Sequence, residues 1–378
     1  MAKNEKVKIA IVGCGASVQY MQGPYLRFAE NAEFAAAVDP DWQRLEVARG
    51  CGARELFTSL DEMLQKSNAQ AVIIASPVYL HAEQTIKVAE AGRHVLCEKP
   101  MARTTDECDQ MIETCKKNGV VLMVAYVKRF HRCMKKAKEL IDTGQLGDIF
   151  EIRCSFDATS FGFPAAVGTR NKKESWGGNF QDHGSHTIDL CRWWAGEVTS
   201  ISSEIMVVNP VRNNDDVACA IAKHESGATS IHMLNVMLSR QNVEEYEIFG
   251  TKAGLKISYT AQDYSAKTAD PFVMTLYERG NVARTITPFT EWNILDEIKN
   301  HNPFLKEVEH FCNCILKGEE PLVTGHDGRK AIEVINAGYL SSWKGLKVQL
   351  PLSRAVDLAS AMEDLKKRHQ FEGYEGNV

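Results

Sequence analysis

The feature that most limits what this chain can fold into is a rhythm near its start. Five short apolar runs recur there: VKIAIVG (residues 7–13), AEFAAAVD (32–39), AQAVIIAS (69–76), RHVLCEK (93–99) and GVVLMVAY (119–126). Helix-forming sequence separates them. Strands that alternate with helices of this length require right-handed βαβ crossovers, which build a parallel sheet with helices on both faces. The expectation is a doubly wound α/β domain.

The rhythm changes near residue 125. After a helical stretch at 132–144, the runs lengthen into GDIFEIRCSFD (147–157), VTSISSEIMVV (198–208), DDVACAIAKHESGATSIHMLNVML (215–238) and EEYEIFGTKAGLKISY (244–259). Glu225, Ser226 and Gly227 divide the third run in two and read as a hairpin turn, so the second sheet is expected to be open and mainly antiparallel. In SIHMLNVML, Ile231, Met233 and Met237 share one face while Leu234, Val236 and Leu238 share the other. A strand apolar at both parities is covered on both sides; helices of its own domain supply one cover, and a second copy of the chain is expected to supply the other. The predicted division is a dinucleotide-binding domain over 1–127 and a substrate-binding and oligomerisation domain over 128–378, with a C-terminal segment packing back on the first domain.

Composition supports two cores and narrows the ligand. The chain has 378 residues, 44% of them hydrophobic, which is more than one typical domain requires. A formal net charge of −5, with basic residues scattered among acids, gives no footprint for nucleic acid or an anionic membrane. No apolar run is long enough to span a bilayer, and the charged opening MAKNEKVKIAIVG has neither signal-peptide nor transit-peptide character, so a cytoplasmic protein is expected. The 11 cysteines are dispersed, odd in number and free of CxxC pairs, and read as reduced thiols. A small molecule is the expected partner.

The glycines of IAIVGCGASV locate that partner. Gly13 and Gly15 sit where the first strand turns into a helix, with Ala16 and Ser17 in the turn that follows. Glycine there permits a tight turn and close approach of backbone N–H groups to a pyrophosphate. The third glycine of G-x-G-x-x-G is missing, because Val18 holds its place. Asp39 ends the second strand, where a carboxylate can accept hydrogen bonds from a ribose diol and repel a 2′-phosphate, which favours NAD over NADP. Arg44 softens that preference if it meets a phosphate or stacks on adenine. Ser76 and Pro77 end a third strand, His81 opens the helix after it, and Glu98 and Lys99 leave a fourth. Ligands of open α/β sheets bind at the carboxyl ends of strands, so all of these are candidates for one cofactor site.

GCG at 13–15, ASPVYLHAEQTIKVAEAGRHVLCEKPM at 75–101, GQLGDI at 144–149, GGNFQDHGSHTIDLCRWWAG at 177–196 and EEPLVTGHDGRKAIEVINAGYLSSWKGLKVQLPL at 319–352 together resemble the glucose-fructose oxidoreductase/inositol dehydrogenase (Gfo/Idh/MocA) family. The departures are Val18 and Val78, the latter where the family often has asparagine. The resemblance implies a Rossmann domain, a C-terminal α/β domain with an open, mainly antiparallel sheet, and hydride exchange with a nicotinamide. It also implies that Lys99 is the catalytic lysine, that Asp182 and His186 are the catalytic aspartate and histidine, and that Arg129 lies near the substrate.

Residues i and i+4 project from one face of a helix, so Asp182 and His186 can reach one substrate. Oxidising a secondary alcohol requires a proton acceptor as hydride leaves carbon. A histidine of ordinary pKa about 6.5 suits that task near neutrality, whereas a lysine of about 10.4 must first be depressed. The expectation is His186 as general base, Lys99 steadying the developing alkoxide and Asp182 orienting a neighbouring hydroxyl, with the roles of Lys99 and His186 exchangeable. The stretch 160–180 reads as a loop over the site, in which Trp176 can stack on a sugar ring; Trp193 and Trp194 read as core.

Two rivals are weighed. His183, His186 and Asp189 recur at i+3 spacing and could form a helical metal site, but no second ligand cluster accompanies them and no metal is expected. A nonenzymatic NAD-binding sensor or scaffold would leave Lys99, Asp182 and His186 without a task. The expected substrate is a sugar, a glycoside oxidised for example at the C3 hydroxyl of a glucoside, or a cyclic polyol, with inositol or a free sugar as the close alternative.

Overall fold

The computed structural model describes residues 5–158, 171–209, 212–237, 243–260, 272–278, 284–286 and 294–368. The chain divides into two compact units, Met1–Phe130 with Glu291–Arg329, and His131–Thr290 with Lys330–Val378. Numbered along the chain, the helices are α1 (Ala16–Tyr20), α2 (Gln22–Leu26), α3 (Trp42–Cys51), α4 (Leu60–Lys66), α5 (Val78–Glu90), α6 (Thr105–Lys117), α7 (Arg132–Asp142), α8 (Asn179–Ala195), α9 (Ile294–His301), α10 (Pro303–Lys317), α11 (Gly325–Lys344) and α12 (Leu358–Arg368).

The first unit holds a six-stranded sheet made of β1 (Val7–Val12), β2 (Ala32–Val38), β3 (Glu55–Phe57), β4 (Ala71–Ile74), β5 (His94–Glu98) and β6 (Leu122–Ala125). All neighbours are parallel, in the order β3-β2-β1-β4-β5-β6. β4 is buried at every residue, as a strand covered on both faces must be. Its helices are closed by local chemistry. Asp41 caps α3 by accepting from Gln43 N, and Gly52 ends that helix at φ +110. Thr104 and Glu107 form a reciprocal capping box at the start of α6. Strand order reverses between β1 and β4, which makes the carboxyl ends of those strands the crevice where such sheets bind ligands. The edge strand β3 escaped sequence reading because three residues carry no periodicity.

Among the described residues the second unit holds nine strands, β7 (Ile149–Asp157), β8 (Val198–Met206), β9 (Val217–His224), β10 (Thr229–Asn235), β11 (Val243–Gly250), β12 (Ala253–Thr260), β13 (Val273–Glu278), β14 (Arg284–Ile286) and β15 (Val348–Gln349). Their order is β14-β13-β12-β11-β7-β10-β9-β8-β15. Only β7 and β10 are parallel; the other pairs run antiparallel, as the hairpin reading implied. Gly227, at φ +90, closes the β9–β10 hairpin, and its N–H donates to His224 O at 3.0 Å. The run 244–259 is two strands rather than one, joined at Thr251 and Lys252.

α8 packs on β7, β9 and β10. Leu190, Cys191 and Trp194 of the helix join Ile152, Cys154, Tyr246 and Ile257 of the sheet in one core. The opposite face of β9 and β10 is different. Ile231 pairs with Ile221 and Met233 with Cys219 across the ladder, and Ile221 and Met233 are 52% and 53% exposed. Among the described residues of this chain, that face has no cover comparable to α8. Leu238 of the same run lies outside the described residues.

Candidate active site

The turn after β1 is shaped by what glycine lacks. Gly13 has φ +93, and a Cβ there would stand 2.5 Å from Ala75 O, so neither the backbone angle nor the space admits a side chain. A Cβ on Gly15 would meet nothing within 4 Å, which leaves open room above the backbone that enters α1. Val18, in place of a third glycine, is fully buried. The close approach such a glycine allows occurs instead at Gly23, where a Cβ would lie 2.4 Å from Val18 O.

Asp39 stands beside this turn. Its carboxylate accepts from Cys14 N at 2.8 Å and Asp41 N at 2.9 Å, so two backbone donors aim it before any ligand arrives. Arg44 approaches Asp39 at 3.8 Å while its side chain stays 49% exposed, which leaves the guanidinium able to reach a ligand. Cys14 is no reactive thiol: burial, with the nearby Asp39 charge, pushes its pKa up to about 12. The room above Gly15 and the aimed carboxylate fit a dinucleotide, whose phosphates would meet the N–H groups of Ala16 and Ser17 and whose ribose would meet Asp39.

The ends of β4 and β5 are tied together in the same unit. Ser76 Oγ donates to Gln84 Oε1 at 2.6 Å, and Pro77 precedes α5. His81 is buried, with Nδ1 2.9 Å from Pro100 O and Nε2 2.8 Å from Ser76 O. The imidazole therefore braces two loops through their main chains. Burial pushes its pKa down against the opposing effect of those carbonyls. Glu98 accepts from Gln22 Nε2 at 2.6 Å and, through its other oxygen, from Lys99 N at 3.2 Å. Lys99 leaves β5 beside this carboxylate. Arg129 is also in the first unit and buried; it donates to Leu322 O at 3.0 Å and pairs with Asp327 at 3.1 Å, both in the segment 291–329.

Asp182 and His186 belong to the second unit, one turn apart on α8 and each 8% exposed. His183, between them, stacks on Phe156 with ring centroids 3.8 Å apart and meets Asn179 Oδ1 at 2.8 Å, an arrangement that fixes the first turn of the helix. Trp176 precedes α8 with φ 54, an uncommon value for a side chain of this size. The part of the predicted loop from 160 to 170 lies outside the described residues. Trp194 is in the core, edge-on to Tyr246, and Trp193 packs partly buried against it.

Sequence reading missed what holds α8. Gly178 provides no side-chain cap, and Asp215 supplies one from the loop before β9. Its carboxylate accepts from Gly178 N and Phe180 N, both at 2.7 Å, and from Tyr339 Oη at 2.6 Å. Asn179 N donates to Asp215 O at 2.9 Å. Next to it, Asn213 and Asn214 hold the main chain of Asn171 and Lys172. The signal was a run of four hydrogen-bonding residues, NNDD at 213–216, directly before a strand.

Ligand-like clusters elsewhere have structural employment. Among the described residues, Cys154, Cys191 and His232 converge, with sulfurs 3.5 Å apart. Both His232 nitrogens already meet hydroxyls, Thr187 Oγ1 at 2.8 Å and Ser230 Oγ at 2.9 Å. Asp189 of the weighed helical metal triad is fully buried 4.0 Å from Arg192.

Comparison with known proteins matches this anatomy. Residues 7–126 match the model of an oxidoreductase family with an NAD-binding Rossmann fold, and residues 138–350 match its C-terminal alpha/beta domain. A scyllo-inositol 2-dehydrogenase (NAD(+)) of Bacillus subtilis is 27% identical over 93% of this chain and 98% of its own length. A 2,7-anhydro-N-acetylneuraminate hydratase of Mediterraneibacter gnavus is 32% identical over 91% of this chain and 96% of its own. The structure of aldose-aldose oxidoreductase from Caulobacter crescentus, complexed with glycerol, superposes with a TM-score of 0.79 at 26% identity, covering 92% of this chain and 100% of that one. No helix among the described residues is long and apolar enough to cross a membrane. With both of its domains matched in order, this chain belongs to the Gfo/Idh/MocA family of NAD(P)-dependent oxidoreductases.

Proposed function

We propose that the protein is an NAD-dependent dehydrogenase that exchanges hydride with a secondary hydroxyl of a sugar, a glycoside or a cyclic polyol. The observation that carries this reading is the Asp39 carboxylate, aimed by Cys14 N and Asp41 N beside the Gly13 turn. A carboxylate so held binds a ribose diol and disfavours a 2′-phosphate, hence NAD before NADP. When bound, NAD supplies the hydride acceptor.

The chain's own residues supply the rest. His186 takes the hydroxyl proton, Lys99 steadies the developing negative charge on that oxygen, and Asp182 holds an adjacent hydroxyl. Exchange of the first two roles leaves the chemistry balanced. Vicinal hydroxyls suit such paired donors and acceptors, as in an inositol or at C3 of a glucoside. The open face around Ile221 and Met233 suits a second copy of the chain, which would make the protein a homo-oligomer.

Reduced nicotinamide should appear by absorbance when the protein meets NAD and members of a panel of inositols, free hexoses and glycosides, with NADP as the weaker partner. Absence of turnover across the panel, together with absence of bound dinucleotide after denaturation, sinks the reading. The similarity to a protein named a hydratase favours a second one, addition of water to a sugar derivative with no net reduction of nicotinamide. Product formation from a sugar derivative without change in nicotinamide absorbance would select it.

A further inference from the structure

One buried acid in the first unit has no role in the chemistry so far. Glu307 lies on α10, whose buried stripe includes Leu305, Val308, Phe311 and Cys312. It is 0% exposed, and neither carboxyl oxygen has a hydrogen-bond partner of normal geometry. Native interiors rarely tolerate such a group without a reason, since an apolar side chain of similar volume would pack there at lower cost.

The neighbours supply the reason. Ser17, in the turn over which the dinucleotide is placed, donates through Oγ to Gln22 Oε1 at 2.8 Å. Gln22, 1% exposed, donates in turn to Glu98 Oε1 at 2.6 Å. Glu98 Oε2 accepts the main-chain N–H of Lys99 at 3.2 Å. One amide thus joins α1 and α2 to the strand end that carries Lys99. Gln22 Nε2 has a second hydrogen, and α10, which carries Glu307, packs on α2, which carries Gln22. Burial and the Glu98 charge raise the Glu307 pKa well above the usual carboxylate range, while the Gln22 amide acts the other way. A neutral acid in this position can accept from the amide without adding a second negative charge beside Glu98.

We infer that Glu307 is a positioning residue: it fixes the Gln22 amide, so that Ser17 and Glu98, and through Glu98 the Lys99 backbone, are held in one register. The inference rests on the dinucleotide reading above, and it adds a residue from α10 that touches neither the reacting atoms nor the cofactor. Loss of the acid frees the amide to rotate, and both the cofactor turn and the Lys99 strand end lose a common brace.

The test uses the full chain with NADH as probe, following binding by fluorescence and folding by thermal melting. Glu307→Gln keeps a neutral side chain of the same shape and should bind NADH within about twofold of wild type. Glu307→Met removes the buried polar group; its melting temperature should equal or exceed that of wild type, while NADH binding weakens by about tenfold. A structural filler would show no such split. Adding Gln22→Met to Glu307→Met should weaken binding little further, because both substitutions cut one chain of hydrogen bonds. Unaltered binding by Glu307→Met overturns the inference alone, and so does a loss in Glu307→Gln as large as in Glu307→Met. A wild-type chain that binds neither NADH nor NADPH overturns the proposed function first and this inference with it.

Discussion

The two sheets present functional residues in opposite ways. In the parallel sheet, β4 is buried throughout, so side chains within strands are committed to the core and only strand ends can meet a ligand. Gly13, Asp39, Ser76 and Lys99 all occupy such ends. In the antiparallel sheet, β9 alternates buried and exposed residues, and the candidate catalytic groups lie on α8, the helix laid over one face. The parallel sheet fixes a site by where its strands stop. The antiparallel sheet fixes one by how a helix is seated, and among the described residues its other face has no comparable cover.

The largest effects should come from the groups proposed above as each region's share of the chemistry. Lys99→Ala and His186→Ala should each lower turnover by about 10²-fold or more, the range of a lost proton-transfer or charge-stabilising group. Melting temperatures should stay near wild type, since neither residue anchors a core. Steady-state rates within about threefold of wild type for both variants would break the assignment of roles. If one variant is silent and the other is not, the proton moves through a single one of these regions.

Seating of the helix is the next target. Asp215→Asn exchanges an acceptor-only carboxylate for an amide, so one of Gly178 N, Phe180 N and Tyr339 Oη loses its acceptor in a buried site. A loss of about 1–3 kcal/mol is expected from urea unfolding, with turnover falling because Asp182 and His186 share the helix.

The same contrast explains what the sequence made legible. β1, β2, β4, β5 and β6 announce themselves as apolar runs because both of their faces are buried, and their ends were readable with them. The brace on α8 was not, because Asp215 and Gly178 are far apart in sequence and their contact exists only after the sheet forms. Glu307 left a fainter mark, a single acid among apolar residues on one stripe of α10. His81 was readable as a residue near the site, but its two carbonyl partners, Ser76 and Pro100, appear only when β4 and β5 lie side by side. β14 and β15 are too short to show a period.

Acid should act on the second unit through its buried histidines, which resist protonation. Burial pushes His232 down to about 3, with the nearby His224 adding to the shift. A histidine depressed in the fold binds its proton more readily when unfolded. Its stabilising contribution is therefore complete above its ordinary pKa of about 6.5 and is lost as pH falls toward 3. His232→Gln, which does not titrate, should show a shallower decline in stability over that interval when unfolding by urea is compared at successive pH values. A decline as steep as that of wild type would mean that His232 is not a principal proton-linked group of this unit.

The smallest intrinsic effect is expected on the open face. Met233 and Ile221 lie on neighbouring strands and are each more than half exposed, so replacing Met233 with aspartate removes little burial within one chain. Surface changes of this kind usually alter the stability of a single chain by about 0.5 kcal/mol or less. If this face is an interface between copies, the added carboxylate is desolvated against an apolar partner surface, and association should be lost even though the chain still folds. Light scattering at micromolar concentration should then report a multimer for wild type and a smaller species for Met233→Asp, with far-UV circular dichroism unchanged. A wild-type monomer would mean that the antiparallel sheet tolerates an open apolar face alone, and the contrast with the doubly covered parallel sheet would be a property of the isolated chain.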